Sequence, residues 1–236
     1  MKLICCNFKM NLLKKDIINY LDVINNKIKK DNLIFFPSIP YISMFNEAGF
    51  KVGSQDISFK ELGSITGDTS ILQLKELGIS YTIIGHSERR EYFDDDKYIS
   101  NKINLALTNS IKVILCIGEK IKQEKIDTEF LKKEIDEAFK NNLNLINNNN
   151  LIIAYEPIWA IGSGEIPSNI CIEETIFFIK KHIFDKYKIN INVLYGGSVS
   201  LDNIDILESV KGIDGYLIGG CSLKPENILN ISSKLM

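Results

Sequence analysis

The chain has 236 residues, of which 45% are hydrophobic and 25% charged, a balance that buries a sizeable core and excludes a disordered chain. Lys+Arg 28 against Asp+Glu 30 leaves a net charge of −2, so no global field attracts nucleic acid or an anionic membrane, neither is expected as a partner, and any anion site must be local. Five scattered cysteines without CxxC spacing, Cys5, Cys6, Cys116, Cys171 and Cys221, indicate neither a disulfide framework nor a zinc site; with only a four-residue apolar run between Lys2 and Asn7, no secretory leader is expected, and a reducing cytoplasm is the expected location.

Short apolar or β-branched runs recur along the chain as Leu3 to Cys6, Leu33 to Phe36, Phe50 to Gly53, Tyr81 to Ile84, Lys112 to Cys116, Leu151 to Ala154, Ile191 to Leu194 and Gly215 to Ile218. Their nearly unbroken apolarity suits strands buried on both faces, as in a parallel sheet. Helical stretches are expected from about Leu12, Lys97, Thr128 and Pro225. After Cys171, the residues Ile172, Ile176, Ile179, Ile183 and Tyr187 form an apolar stripe at helical spacing. The Asn-rich patch Asn141 to Asn150 reads as a polar turn before the sixth strand. Length alone accommodates one large or two small domains, but no Pro/Gly/Ser-rich linker divides the chain. The expected fold is therefore a single α/β domain over residues 1–236, a closed (β/α)8 barrel of eight parallel strands each followed by a helix.

Reactive groups in such a barrel belong just beyond the C-terminal ends of the strands. Those positions hold Asn7 and Lys9 after the first strand, Gly85-His86-Ser87-Glu88 after the fourth, Glu156 after the sixth, Gly196-Gly197-Ser198 after the seventh and Gly219-Gly220 after the eighth. Glu156 precedes Pro157, which disfavours helical geometry and projects the carboxylate from the strand end. Alone it would more often be a solvated charge than a general base, so its neighbours decide. Of the two histidines, His86 stands at a strand end, whereas His182 stands mid-helix beside Lys180 and Lys181 and reads as an exposed helix residue. The two glycine turns let backbone amides approach a ligand and Ser198 adds a hydroxyl, a phosphate cradle at the place where barrels bind phosphate. Beside it, Lys9 becomes a fixed cation for a dianion and for charge developing on a carbonyl oxygen.

These residues lie in the blocks Asn7-Phe8-Lys9-Met10-Asn11, Gly85-His86-Ser87-Glu88-Arg89-Arg90, Cys116-Ile117-Gly118-Glu119, Ala154 to Gly164, Tyr195-Gly196-Gly197-Ser198-Val199 and Gly219 to Pro225. In order and spacing the chain resembles the triosephosphate isomerase family from end to end. The resemblance implies that Glu156 is the base that moves a proton between adjacent carbons and that His86 is a neutral electrophile, an arrangement for which this family is itself the standard example. It further implies that Asn7 and Lys9 assist catalysis and bind substrate, and that Gly162, Ser198, Gly219 and Gly220 hold the phosphate of a small phosphorylated triose. Pro157 to Gly164 resembles the family's lid. No cofactor and no metal are implied.

Departures from the family pattern are Phe8 for the usual Trp, Ser163 for Thr, Cys221 for Ala and Asp68 for Glu. A homodimer is implied, formed through loop 55–70, with Thr66 reaching toward the partner's Asn7 and Lys9 and Asp68 opposite the partner's Arg89, one methylene shorter in reach than glutamate. Two rival readings are a catalytically silent phosphate-binding barrel and another phosphosugar isomerase on the same scaffold. The intact Asn7, Lys9, His86 and Glu156 disfavour the first, and the lid and phosphate turns disfavour the second.

Overall fold

A computed structural model describes residues 2–25, 27–28, 31–121, 126–160 and 166–235. Eight strands, β1 (Leu3–Asn7), β2 (Leu33–Phe36), β3 (Lys51–Ser54), β4 (Tyr81–Ile84), β5 (Lys112–Ile117), β6 (Leu151–Tyr155), β7 (Asn192–Tyr195) and β8 (Gly215–Ile218), pair in sequence order. All the pairings are parallel, and β1 closes on β8, so the sheet has no edge. The helices are α1 (Lys14–Ile24), α2 (Ile42–Glu47), α3 (Ile71–Glu76), α4 (Ser87–Tyr92), α5 (Asp96–Thr108), α6 (Thr128–Phe139), α7 (Asn169–Tyr187), α8 (Ile204–Glu208) and α9 (Pro225–Lys234). The (β/α)8 expectation is met, strand for strand.

Strand alternation sorts side chains into two buried layers. Cys5, Ile34, Phe36, Ile114, Ala154 and Leu217 belong to a cluster that fills the barrel. Their neighbours Ile4, Cys6, Phe35, Val113, Tyr155 and Ile218 pack outward against helix residues such as Ile17, Ile135, Ile179 and Ile228. This double burial is why the strands read as unbroken apolar runs. The same alternation has a functional consequence at the top of the barrel: continuing the inward-facing set past Cys5, Ala154 and Leu217 brings Asn7, Glu156 and Gly219 to the rim.

Local signals explain the helix boundaries. Ser70 caps α3 by accepting the Leu72 N–H (3.0 Å) and Asp95 caps α5 by accepting the Tyr98 N–H (2.8 Å). Pro225 opens α9 where its missing N–H costs nothing. Phe8 is buried against Tyr20, Phe35 and Phe45, with ring centroids 5.0, 5.8 and 5.6 Å away, and so anchors the backbone between Asn7 and Lys9. Two expectations are refined. Residue Asn142 of the Asn-rich turn is fully buried, its amide donating to Ser100 O (3.0 Å) and Ala138 O (2.9 Å). His182 is not a free surface residue, because its Nε2 lies 2.9 Å from Asp136 Oδ1 between α6 and α7, far along the fold from the strand ends.

Candidate active site

A cavity of about 590 Å³ opens at the C-terminal end of the barrel, within the range of small-ligand sites. Asn7, Lys9, His86, Glu156, Ser198, Gly219 and Gly220 all line it, so seven of the eight residues singled out in the sequence meet in one place. Gly162 lies outside the described residues, as does the part of the expected lid from 161 to 164.

Glu156 is only 2% exposed despite its charge. Its Oε2 accepts the Ser87 N–H at 3.3 Å, and its Oε1 lies 3.3 Å from His86 Nε2. His86 caps the N-terminus of α4, with Nδ1 accepting the Glu88 N–H at 3.3 Å. The Glu88 carboxylate oxygen nearest Nδ1 is 3.7 Å away, beyond hydrogen-bond length. A backbone donor on Nδ1 leaves the ring proton on Nε2, the nitrogen that faces Glu156 and the cavity. The local sequence builds this: Gly85 takes a φ of 72°, turning the chain out of β4 so that His86 can cap the helix.

Lys9 adopts a φ of 51°, a region that costs a non-glycine residue about 1 to 2 kcal/mol. Its surroundings hold it there: the Lys9 N–H donates to Asn7 Oδ1 (3.0 Å), and the Lys9 carbonyl accepts from Ser38 Oγ (3.0 Å) and Gln55 Nε2 (2.7 Å). The ammonium pairs with Glu88 Oε1 at 2.7 Å. Strain maintained by Asn7, Ser38 and Gln55 is the signature of a side chain whose position matters.

Across the cavity, a Cβ built on Gly220 would meet nothing within 4 Å among the described residues, and one on Gly219 would meet Lys9 Cε at 3.5 Å. These backbone faces are open to a ligand, with the Lys9 stem beside them. Ser198 Oγ donates to Ala160 O at 2.7 Å, joining this end of the site to the residue before the segment 161–165. Cys221 also lines the cavity, and burial raises its thiol pKa.

Three aspects of the site were not read from the sequence. Glu88 holds Lys9. Asn11, Lys224 and Asn227 are among the further residues of the lining. Arg90 and Glu134 sit behind the rim and brace the ends of β4 and β5. Nothing in the pattern around Glu134, mid-helix in α6, connects it to Gly118.

A buried carboxylate beside an imidazole that presents Nε2–H, with a cation and uncrowded glycines lining the same cavity, is an arrangement suited to taking a proton from carbon while the adjoining oxygen gathers charge. A family profile described as triosephosphate isomerase matches residues 2–235. Curated relatives named triosephosphate isomerase include that of Buchnera aphidicola, 37% identical over 94% of each chain. That of Alkaliphilus oremlandii is 34% identical over 97% of each chain. That of Saccharomyces cerevisiae is 34% identical over 97% of this chain and 96% of the relative.

Proposed function

This chain belongs to the triosephosphate isomerase family, and we propose that it interconverts dihydroxyacetone phosphate and D-glyceraldehyde 3-phosphate, a step of glycolysis and gluconeogenesis, by proton transfer through an enediolate. Glu156 removes the proton from the carbon beside the carbonyl and returns it to the neighbouring carbon. A carbon acid ionises slowly unless its oxygen is stabilised as charge develops. His86 Nε2–H, the Asn7 amide and the Lys9 ammonium supply that stabilisation. Ser198, Gly162 and the amides of Gly219 and Gly220 hold the phosphate, whose binding energy fixes the reacting carbons against Glu156. Pro157 to Gly164 closes over the substrate and excludes water. The observation that carries this reading is the 3.3 Å approach of His86 Nε2 to Glu156 Oε1, base and electrophile already side by side in the cavity.

The protein works as a single domain over residues 1–236 in the cytoplasm, consistent with five free cysteines. Among the described residues no helix is long and apolar enough to cross a membrane. It assembles as a homodimer through loop 55–70. Residues 60–64 and 66–68 of that loop are exposed, Leu62 among them, and Met10 beside Lys9 is 95% exposed, apolar surface of the kind a partner covers. Thr66 then reaches the partner's Lys9 and Asn7, and Asp68 faces the partner's Arg89. Within its own chain Arg89 already pairs with Asp56 at 2.9 Å, so the contact with Asp68 joins an existing cluster.

The test is an enzyme-coupled assay with D-glyceraldehyde 3-phosphate. Formation of dihydroxyacetone phosphate, blocked by phosphate-bearing inhibitors, is expected. An inert protein, or one acting only on another phosphosugar, would refute the assignment.

A further inference from the structure

The ladder between β4 and β5 ends where Ile84 pairs with Leu115, two residues before His86. Past that point the strand ends lose their mutual hydrogen bonds, and side chains take over. Arg90 from α4 donates through Nε to Gly85 O (2.8 Å) and through Nη2 to Cys116 O (3.1 Å), bridging the two strands. Its Nη1 lies 3.3 Å from Glu134 Oε1 on α6 and 3.3 Å from Asp96 Oδ1 on α5. Glu134 then uses Oε2 to accept the Gly118 N–H at 2.9 Å. Gly118 in turn is pressed against the catalytic strand, since a Cβ placed on it would come within 1.7 Å of the Glu156 carbonyl oxygen. On either side of that contact, Glu156 N–H donates to Ile117 O (2.8 Å) and Ile158 N–H to Glu119 O (3.0 Å), so Gly118 and Glu156 move together.

We propose that Glu134, acting through Arg90 and the Gly118 amide, is a positioning residue that sets the separation of His86 and Glu156. One end of its network holds the residue immediately before His86, and the other holds the backbone against which Glu156 rests. The inference rests on the proton-transfer roles proposed for those two residues. Its location supports it: Glu134 is buried, and an ion pair taken out of water is a poor source of net stability compared with an apolar residue of similar size. What the pair provides is orientation. Burial pushes the Glu134 carboxyl up to about 7, with Asp96 and Glu156 adding to the rise while Arg90 and the Gly118 N–H oppose it.

Comparing Glu134→Leu and Glu134→Gln with the parent tests the proposal, with circular dichroism as a check on folding. Glu134→Leu removes both contacts and should lower kcat by roughly ten- to a hundredfold, the scale of a sub-ångström to ångström misplacement. KM and inhibition by inorganic phosphate should stay within about twofold, because Ser198, Gly219 and Gly220 stand on other strands. Glu134→Gln keeps an acceptor for the Gly118 N–H and should recover at least about fivefold of the lost rate. If Glu134→Leu does not fold, Glu134→Asp, which draws the carboxylate back by a methylene, takes its place with the same expected split. A folded variant with unchanged kcat, a kcat loss matched by an equal rise in KM, or Glu134→Gln no better than Glu134→Leu would each overturn the proposal. An inactive parent would sink the isomerase reading and this inference with it, whereas an active parent with an unaffected Glu134→Leu variant would sink the inference alone.

Discussion

Gly118→Ala tests the contact between β5 and the base with the smallest possible change. Gly118 does not have a positive φ, so alanine meets no left-handed backbone strain and the clash of its Cβ sets the effect. The added Cβ would stand 1.7 Å from Glu156 O, whereas real Cβ contacts essentially never fall below 3.0 Å, so the two segments must part by at least 3.0 − 1.7 = 1.3 Å. They are pinned together by Glu156 N–H to Ile117 O and Ile158 N–H to Glu119 O, and separation weakens one or both. Overpacking of this kind costs about 1 to 3 kcal/mol, which for a chain of this size lowers Tm by roughly 2 to 4 °C per kcal/mol. Displacing the base by about an ångström costs on the order of a hundredfold in turnover. Coupled kinetics and a thermal melt measure both. Gly118→Ala should show kcat reduced about a hundredfold with phosphate inhibition unchanged. A variant with kcat within about threefold of the parent and an unshifted melt would refute the claim that Gly118 sets the position of Glu156.

Further expectations concern stability, the lid and assembly. The folded-state pKa of Glu134 is raised from 4.5 to about 7, so the stability it confers is complete below 4.5 and is lost as the pH rises through about 7. That interval is worth about 3 kcal/mol at roughly 1.4 kcal/mol per pH unit. Glu134→Gln, which cannot ionise, should gain about that much over the parent between pH 4.5 and pH 8 in urea unfolding, and an equal difference at both pH values would contradict burial of an ionisable carboxyl as the cause. Trp159, the single tryptophan, lies half-buried at the start of the proposed lid, and its emission should change on saturation with a phosphate-bearing inhibitor; an unaltered spectrum would reject lid closure at this residue. Thr66→Arg, at the exposed loop tip, should yield monomers with intact circular dichroism and sharply reduced turnover. Sedimentation beside the assay decides this, and a monomeric, fully active variant would refute the dimer requirement.

The barrel was legible because all eight strands are buried on both faces, and β2, β4 and β8 begin and end where their apolar runs do. Helices long enough to show a stripe, such as α7, were legible for the same reason. The short helices α2, α3 and α8 were not, since five or six residues display no periodicity and depend on tertiary packing. In the site, position marked the residues at strand ends and the family resemblance gave them roles, but neither disclosed their supports. Glu88 meets Lys9 across 79 residues, a contact that barrel closure creates, and Glu134 reaches back from the middle of α6 to Gly118 at the end of β5, a contact that depends on how the helix packs on its strand. His182 illustrates the converse: its sequence neighbours are lysines, yet its spatial partner is Asp136 on the preceding helix.

Every catalytic role proposed for this barrel depends on the identity of the base, and Glu156→Gln tests it most directly. The amide is nearly isosteric with the carboxylate, keeps an oxygen for the Ser87 N–H and cannot accept a proton from carbon. With folding verified by circular dichroism and phosphate inhibition retained, turnover of D-glyceraldehyde 3-phosphate should fall at least about a thousandfold, the scale of losing a proton-transfer group. Turnover within tenfold of the parent would show that some other residue removes the proton.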